Sequence, residues 1–265
     1  MSPSPIRIAL LICDTPMASV VQAYGAYHAI YTAILTRSLP EGVPADRFVL
    51  DPYDVQHTMA YPADLDGYDA VMLTGSKSSA YAELEWINKL VAYVKAVAEH
   101  TPRVKIIGIC FGHQIIARAL GGACVPTGAW EIGPSDVQLS ALGKQIFGGR
   151  DTLSIQQCHR DIVPAVPTHP FPFQSLGSTP QCANQGMDAQ DAQDADGKAL
   201  LRRIRIFTVQ GHPEFHRAIV RRIIDAREAD GAVPADEEVE VGAEEGWVND
   251  GRDIGRVVWG ILGLE

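Results

Sequence analysis

The chain has 265 residues, 46% hydrophobic and 20% charged, the make-up of an ordinary water-soluble folded protein and not of a disordered or membrane-spanning one. Its formal net charge of −10 is concentrated in residues 228–250, which hold nine Asp and Glu and no Lys or Arg, leaving the remainder close to neutral. Without a basic face the chain is no partner for nucleic acid, and the acidic run reads as a solvated surface loop.

The first element is "IRIALLIC" (6–13), a short apolar run of the kind buried on both faces of a parallel sheet. Residues 15–36 carry too little charge to look exposed. Pro16, Gln22, His28, several Thr and three Tyr nevertheless make the segment too polar to cross a bilayer, so no membrane is implied and its second half reads as a buried helix. "YDAVMLTG" (68–75) is a second strand. Residues 82–100 place Leu84, Ile87, Leu90, Val91, Val94 and Val97 at helical spacing, with Pro102 closing the helix before a third strand, "VKIIGIC" (104–110). Strands alternating with helices predict an α/β fold: an open, mostly parallel sheet in three layers, with helices on both faces.

From 123 to 182 short candidate strands ("SDVQLS", "DTLSIQQ", "FPFQSLG") suggest a small antiparallel extension at the sheet's edge. Residues 183–199 are polar and repetitive and read as a second surface loop. "LLRRIRIFTVQGHPEF" (200–215) returns to a strand, 214–229 is helical, and Ile254, Val257, Val258 and Ile261 mark a terminal amphipathic helix. No repeats are visible, and the whole of 1–265 is expected to form one domain. The five cysteines, at 13, 110, 124, 158 and 182, are odd in number and irregularly spaced, with no secretory start ahead of them; a reducing, cytoplasmic setting follows.

One cysteine stands apart. An apolar strand ends at Ile109, Cys110 follows at the turn, and a helix begins at once, with Gly108 and Gly112 two residues to either side. This is the strand-to-helix elbow that holds a nucleophile exposed above the carboxyl edge of a sheet. The helix N-terminus favours a thiolate by only about 0.3–1 kcal/mol, so acyl chemistry also requires a base. "FTVQGHPEF" (207–215) supplies His212 beyond a strand end, with Glu214 two residues on and Pro213 stiffening the link.

These motifs resemble those of the class I glutamine amidotransferase family: Gly108-Ile109-Cys110-Phe111-Gly112-His113-Gln114 matches the nucleophile motif and Gly211-His212-Pro213-Glu214 the His/Glu motif. The resemblance is nearest to stand-alone members similar to the glutaminase domain of GMP synthases and to plant γ-glutamyl peptidases. It implies a flavodoxin-like sheet and a Cys110-His212-Glu214 triad that hydrolyses the γ-amide of glutamine, or of a γ-glutamyl compound, through a glutamyl thioester. It also implies an oxyanion hole from the backbone N–H groups of Gly75, in "LTGSKSSAY" (73–81), and of Phe111. Substrate contacts follow from Gln114, from Trp130 and Glu131 in the "WEIG" turn, and from Cys158, His159 and Arg160 in the "QCHRDIV" loop (157–163). Cys158 departs from the Ser usual in synthase-linked relatives.

No cofactor is implied. Cys158, His159 and Asp161 lack a second ligand pair at metal spacing, so no metal site is expected; "TGSKSS" has one glycine and lacks the spacing of a phosphate-binding loop; His113 reads as a packing residue. Three functions stay open: a glutaminase that passes ammonia to a separate synthase, a γ-glutamyl peptidase acting on glutathione-like conjugates, and a non-catalytic regulatory subunit that keeps the fold.

Overall fold

A computed structural model describes residues 4–168, 170–190, 200–229 and 249–264. Strand β1 (Ile6–Ile12) is central to the architecture, pairing in parallel with β2 (Phe48–Asp54) on one side and β3 (Ala70–Leu73) on the other. Beyond β3 come β4 (Lys105–Ile109) and then β10 (Ile204–Val209), also parallel. Two antiparallel strands, β9 (Gly186–Gln190) and β7 (Phe173–Ser175), complete a seven-stranded sheet of order β2-β1-β3-β4-β10-β9-β7.

Side chains along these strands alternate between two cores, as the pleat requires. Ile8 and Leu10 of β1 and Met72 of β3 face α2 (Tyr27–Arg37), α7 (Arg217–Ala229) and α8 (Gly251–Ile261). Ala9, Leu11, Val71 and Leu73 face α3 (Glu85–His100) and α4 (Phe111–Ala119). The expected three-layer, mostly parallel α/β sheet is therefore present. The terminal helix buries Ile254, Val257, Val258 and Ile261 as its pattern predicts, and Trp259 also, whose indole donates to Leu35 O at 3.0 Å.

Several local expectations need correction. The antiparallel material is not one extension. β5 (Val125–Leu139) pairs with β6 (Thr152–Ile162) on one side and with the two-residue β8 (Gly177–Ser178) on the other as a separate three-stranded sheet, while β7 joins the edge of the main sheet. β2 carries no apolar strand signature, since Asp51, Pro52 and Asp54 look like a loop; an edge strand tolerates a proline, which has no N–H to donate. Leu84, expected on the buried face of α3, is 47% exposed because the helix begins one residue later, and Trp86 is buried instead. The acidic run at 228–250 lies almost wholly outside the described residues.

The expected loop at 183–199 is overturned at 186–190, which is β9, inserted between β10 and β7 with Gly186, Met187, Asp188 and Ala189 all buried. Tertiary placement overrides the polar composition here; residues 191–199 lie outside the described set. Asp188 is fully buried. Its Oδ2 accepts from Gln190 Nε2 at 3.2 Å, and its Oδ1 has no partner among the described residues. Burial pushes this carboxyl up to about 6, against the pull of its hydrogen bonds. A raised carboxyl binds its proton more tightly folded than unfolded, so its cost to stability is absent below the ordinary carboxylate range and complete above about pH 6. Asp188→Asn is accordingly expected to stabilise the fold at pH 7 by about 1–3 kcal/mol, with the gain vanishing near pH 4. Thermal unfolding at the two pH values checks this, and an equal shift at both would refute it.

Candidate active site

Loops leaving the carboxyl ends of β1, β3, β4 and β10 converge at one edge of the main sheet, where open α/β folds gather their ligands. Cys110 is the first residue beyond β4. Its φ of 51° and ψ of −104° put it in a left-handed backbone region that non-glycine residues seldom occupy. Its N–H donates to Val209 O at 2.9 Å, tying the turn to β10. A Cβ at Gly108 would meet Gly112 carbonyl carbon at 2.7 Å, and one at Gly112 would meet Leu73 O at 2.7 Å. The elbow is thus packed directly on β3 and leaves no room for side chains at either position.

β10 runs on through Gln210 and Gly211 to His212, whose N–H donates to Gln156 O on β6 at 2.8 Å. The His212 ring stacks on Phe215 at 4.1 Å between centroids and 6° between planes. Its Nδ1 lies 2.8 Å from Glu214 Oε1, and the Cys110 side chain stands against the same glycine, Gly75, as the ring. Burial by itself would depress the imidazole. The charges and hydrogen bonds of Cys110 and Glu214 outweigh burial and hold its pKa well above the ordinary histidine value. Gly75 closes this corner: a Cβ there would sit 2.9 Å from His212 Cε1 and 3.7 Å from Cys110 Cβ.

Cys110, His212, Glu214, Gly75 and Phe111 are thus brought together. Phe111 opens α4 and is wholly buried against Trp86, with ring centroids 5.5 Å apart. Gln114 is buried, not a surface residue; its Nε2 donates to Asp161 O at 2.9 Å and to Gln210 Oε1 at 3.1 Å, so Oε1 is the end left for a ligand. His113 is fully buried, with Nδ1 2.7 Å from Thr208 Oγ1, and burial depresses it to about 3.

The expected "WEIG" turn and "QCHRDIV" loop are instead long antiparallel strands, β5 and β6, whose pairing sets Glu131 opposite His159. Trp130, Cys158, His159 and Arg160 line a cleft with Cys110 and Gln114, and the Arg160 guanidinium lies 5.5 Å from the Trp130 ring. Glu131 does not line it. Its buried carboxylate accepts from Gln185 Nε2 at 2.8 Å and lies 3.1 Å from His159 Nε2, a spacing for charge attraction but without hydrogen-bond alignment. Among the described residues no group of three or more His, Cys, Asp and Glu is arranged to hold a metal ion. No helix among them is long and apolar enough to cross a membrane.

Three residues at the site carry no clear mark in the sequence. Tyr31 donates to Glu214 Oε1 at 3.3 Å, a partner that a buried tyrosine hydroxyl needs. Asp14, beyond β1, accepts from Lys77 N at 2.7 Å and pairs with Lys77 Nζ at 3.0 Å, clamping the loop after Gly75. Gln210, two residues before His212, is fully buried with Nε2 3.6 Å from Cys110 Sγ. Next to His212 opens a second, larger cleft of about 530 Å³, lined by Asp14, Met17, Tyr27, Lys77, Phe215 and Ile223, which shares Ser76, Lys77 and Cys158 with the first.

With this geometry in hand, likeness to known proteins becomes informative. A glutamine amidotransferase-like protein of Schizosaccharomyces pombe is 35% identical over 82% of this chain and 83% of its own length. Gamma-glutamyl peptidase 2 of Arabidopsis thaliana is 28% identical over 83% of this chain and 80% of its own. A solved glutamine amidotransferase from Thermotoga maritima shares the fold, with a TM-score of 0.68 at 16% identity, covering 98% of this chain and 100% of that one. Residues 47–220, more than half of the sequence and including the elbow and His212, match the family model for glutamine amidotransferase class-I, and the chain belongs to that family.

Proposed function

We propose that the protein hydrolyses γ-glutamyl amide bonds through a glutamyl thioester on Cys110. The observation that carries this reading is the buried corner in which Cys110 and the His212 ring both stand against Gly75, the ring itself held at 2.8 Å by Glu214. The Cys110 thiol gives its proton to His212 as the sulfur attacks the γ-carbonyl, and the carbonyl electrons move onto oxygen, where the N–H groups of Gly75 and Phe111 receive the charge. As the C–N bond breaks, His212 gives its proton to the departing amine, leaving the thioester. Water then loses a proton to His212 and attacks the same carbon; the C–S bond breaks, and glutamate leaves with the thiolate restored. Glu214 acts throughout by keeping the proton on Nδ1. Arg160 offers a cation, and Gln114 Oε1 an acceptor, to the α-carboxylate and α-amino groups of the glutamyl half.

The second cleft bears on the leaving amine. Ammonia is about the size of a water molecule, which takes up about 30 Å³ in the liquid. A cleft of about 530 Å³ beside the proton donor His212, with both charged and apolar walls, suits an amino acid or short peptide instead. The similarity to an Arabidopsis gamma-glutamyl peptidase supports the same choice. A glutaminase that feeds ammonia to a separate synthase is the alternative, and the protein's small-molecule substrate would then be glutamine itself.

Glutamate release from glutamine, glutathione and an S-alkyl glutathione conjugate separates these readings. Faster release from glutathione or its conjugate than from glutamine is expected; preference for glutamine would favour the glutaminase, and no release from any of them would overturn the hydrolase. Cys110→Ala is expected to fold normally and lose at least about 10³-fold in rate. Gly75→Ala needs no unusual backbone but thrusts a methyl at the His212 ring, so a loss of about 10²-fold with an unchanged melting temperature is expected, and wild-type kinetics would refute the packing of that corner.

A further inference from the structure

The chain of side-chain amides behind the nucleophile has a fixed polarity. A primary amide can be turned about so that oxygen and nitrogen exchange, and its orientation is set only by what it touches. Here the far end of the chain is the main-chain carbonyl of Asp161, which can only accept. Gln114 therefore presents Nε2 to it at 2.9 Å, and the same Nε2 reaches Gln210 Oε1 at 3.1 Å. With its oxygen so engaged, Gln210 has only Nε2 to offer the sulfur, at 3.6 Å. Its backbone is equally constrained, since its N–H donates to Gln185 O at 2.9 Å, and the side chain is buried without access to solvent.

We propose that Gln210 is a catalytic residue that donates a hydrogen bond to Cys110 Sγ, with Gln114 as the positioning residue that fixes its direction. The inference rests on the reading of Cys110 as nucleophile. A donor that cannot become an acceptor bonds more strongly to a sulfur that carries negative charge than to a neutral one. The same N–H meets the charge that returns to sulfur when the thioester C–S bond breaks, so it assists both formation of the attacking species and its release. His212 supplies the proton traffic; Gln210 supplies a donor that never gives its proton up. The arrangement also links the substrate-side strand β6, through the Asp161 carbonyl, to the electronic state of the sulfur.

Alkylation of Cys110 by iodoacetamide, followed by mass spectrometry across pH 6–9, tests this without any γ-glutamyl substrate. Failure of the relay is thereby distinguishable from failure of the hydrolytic reading, which glutamate release judges. Gln210→Met keeps the length and volume of the side chain but removes the donor. It is expected to slow alkylation about tenfold at pH 6 and by less as the pH rises to 9. A slowing that is equal at every pH, or none, would overturn the proposal. Gln114→Met, which leaves Gln210 in place but unoriented, is expected to give a smaller defect with the same pH dependence, and supplies the test on its own if Gln210→Met does not fold. The double variant should be no slower than Gln210→Met; defects that multiply would show two independent effects and refute the relay.

Discussion

The site depends on one constraint, the left-handed backbone of Cys110 at φ 51°. Such a conformation costs of order 1–3 kcal/mol for a residue with a side chain, and it persists only where the surroundings hold it. Here β3 and β10 do so from either side. Gly112 lies against Leu73 of β3 with no space for a methyl, while the Cys110 N–H is held by Val209 of β10. Straightening the turn would break the hydrogen bond and drive α4 away from the strand it rests on. The sulfur is held at the mouth of the cleft because the neighbouring strands leave the chain no other route from strand to helix.

Electrostatics follow from that geometry. Drawing an imidazole out of water works against its charge, yet His212 is held well above its ordinary pKa because two groups that favour the cation reach it from opposite sides. Glu214 is itself braced, by the Tyr31 hydroxyl at 3.3 Å, and the ring is pinned flat on Phe215. Tyr31 comes from α2 and Phe215 from the turn before α7, so the packing of two helices on one face of the sheet reaches the orientation of a single ring. The other buried thiols offer a contrast in environment. Cys13, Cys124 and Cys182 are pushed up to about 12 by burial, with no imidazole beside them, and behave as small apolar side chains.

Much of this was legible in the sequence where local pattern and tertiary role agree. The parallel strands β1, β3 and β4 are apolar runs because both faces are covered, and the elbow declares itself through two glycines spaced about a thiol. Legibility fails where a residue's environment is made by distant chain. Asp51 and Pro52 look like a loop until an edge position makes them tolerable, and β9 looks solvated until β7 and β10 enclose it. Gln210 stood in plain view beside His212, but its meaning lies in contacts 96 and 100 residues away, to Gln114 and Cys110. Periodicity reports which face is buried; it is silent about which polar groups meet there.

The second sheet gives the molecule a division of labour. β6 lends a main-chain carbonyl to His212 through Gln156 and another to Gln114 through Asp161, so it supports the chemistry only through backbone atoms, which side-chain substitution leaves in place. Its side chains at Cys158 and Arg160, with Trp130 from β5, face the cleft instead. The cleft-facing side chains of these strands can therefore be exchanged without displacing the groups that β4 and β10 carry. Cys158 lines both clefts, so a change of its side chain would alter the passage between them. The separation follows from placing Cys110 and His212 at the edge of a parallel sheet and the walls of the cleft on an antiparallel one laid against it.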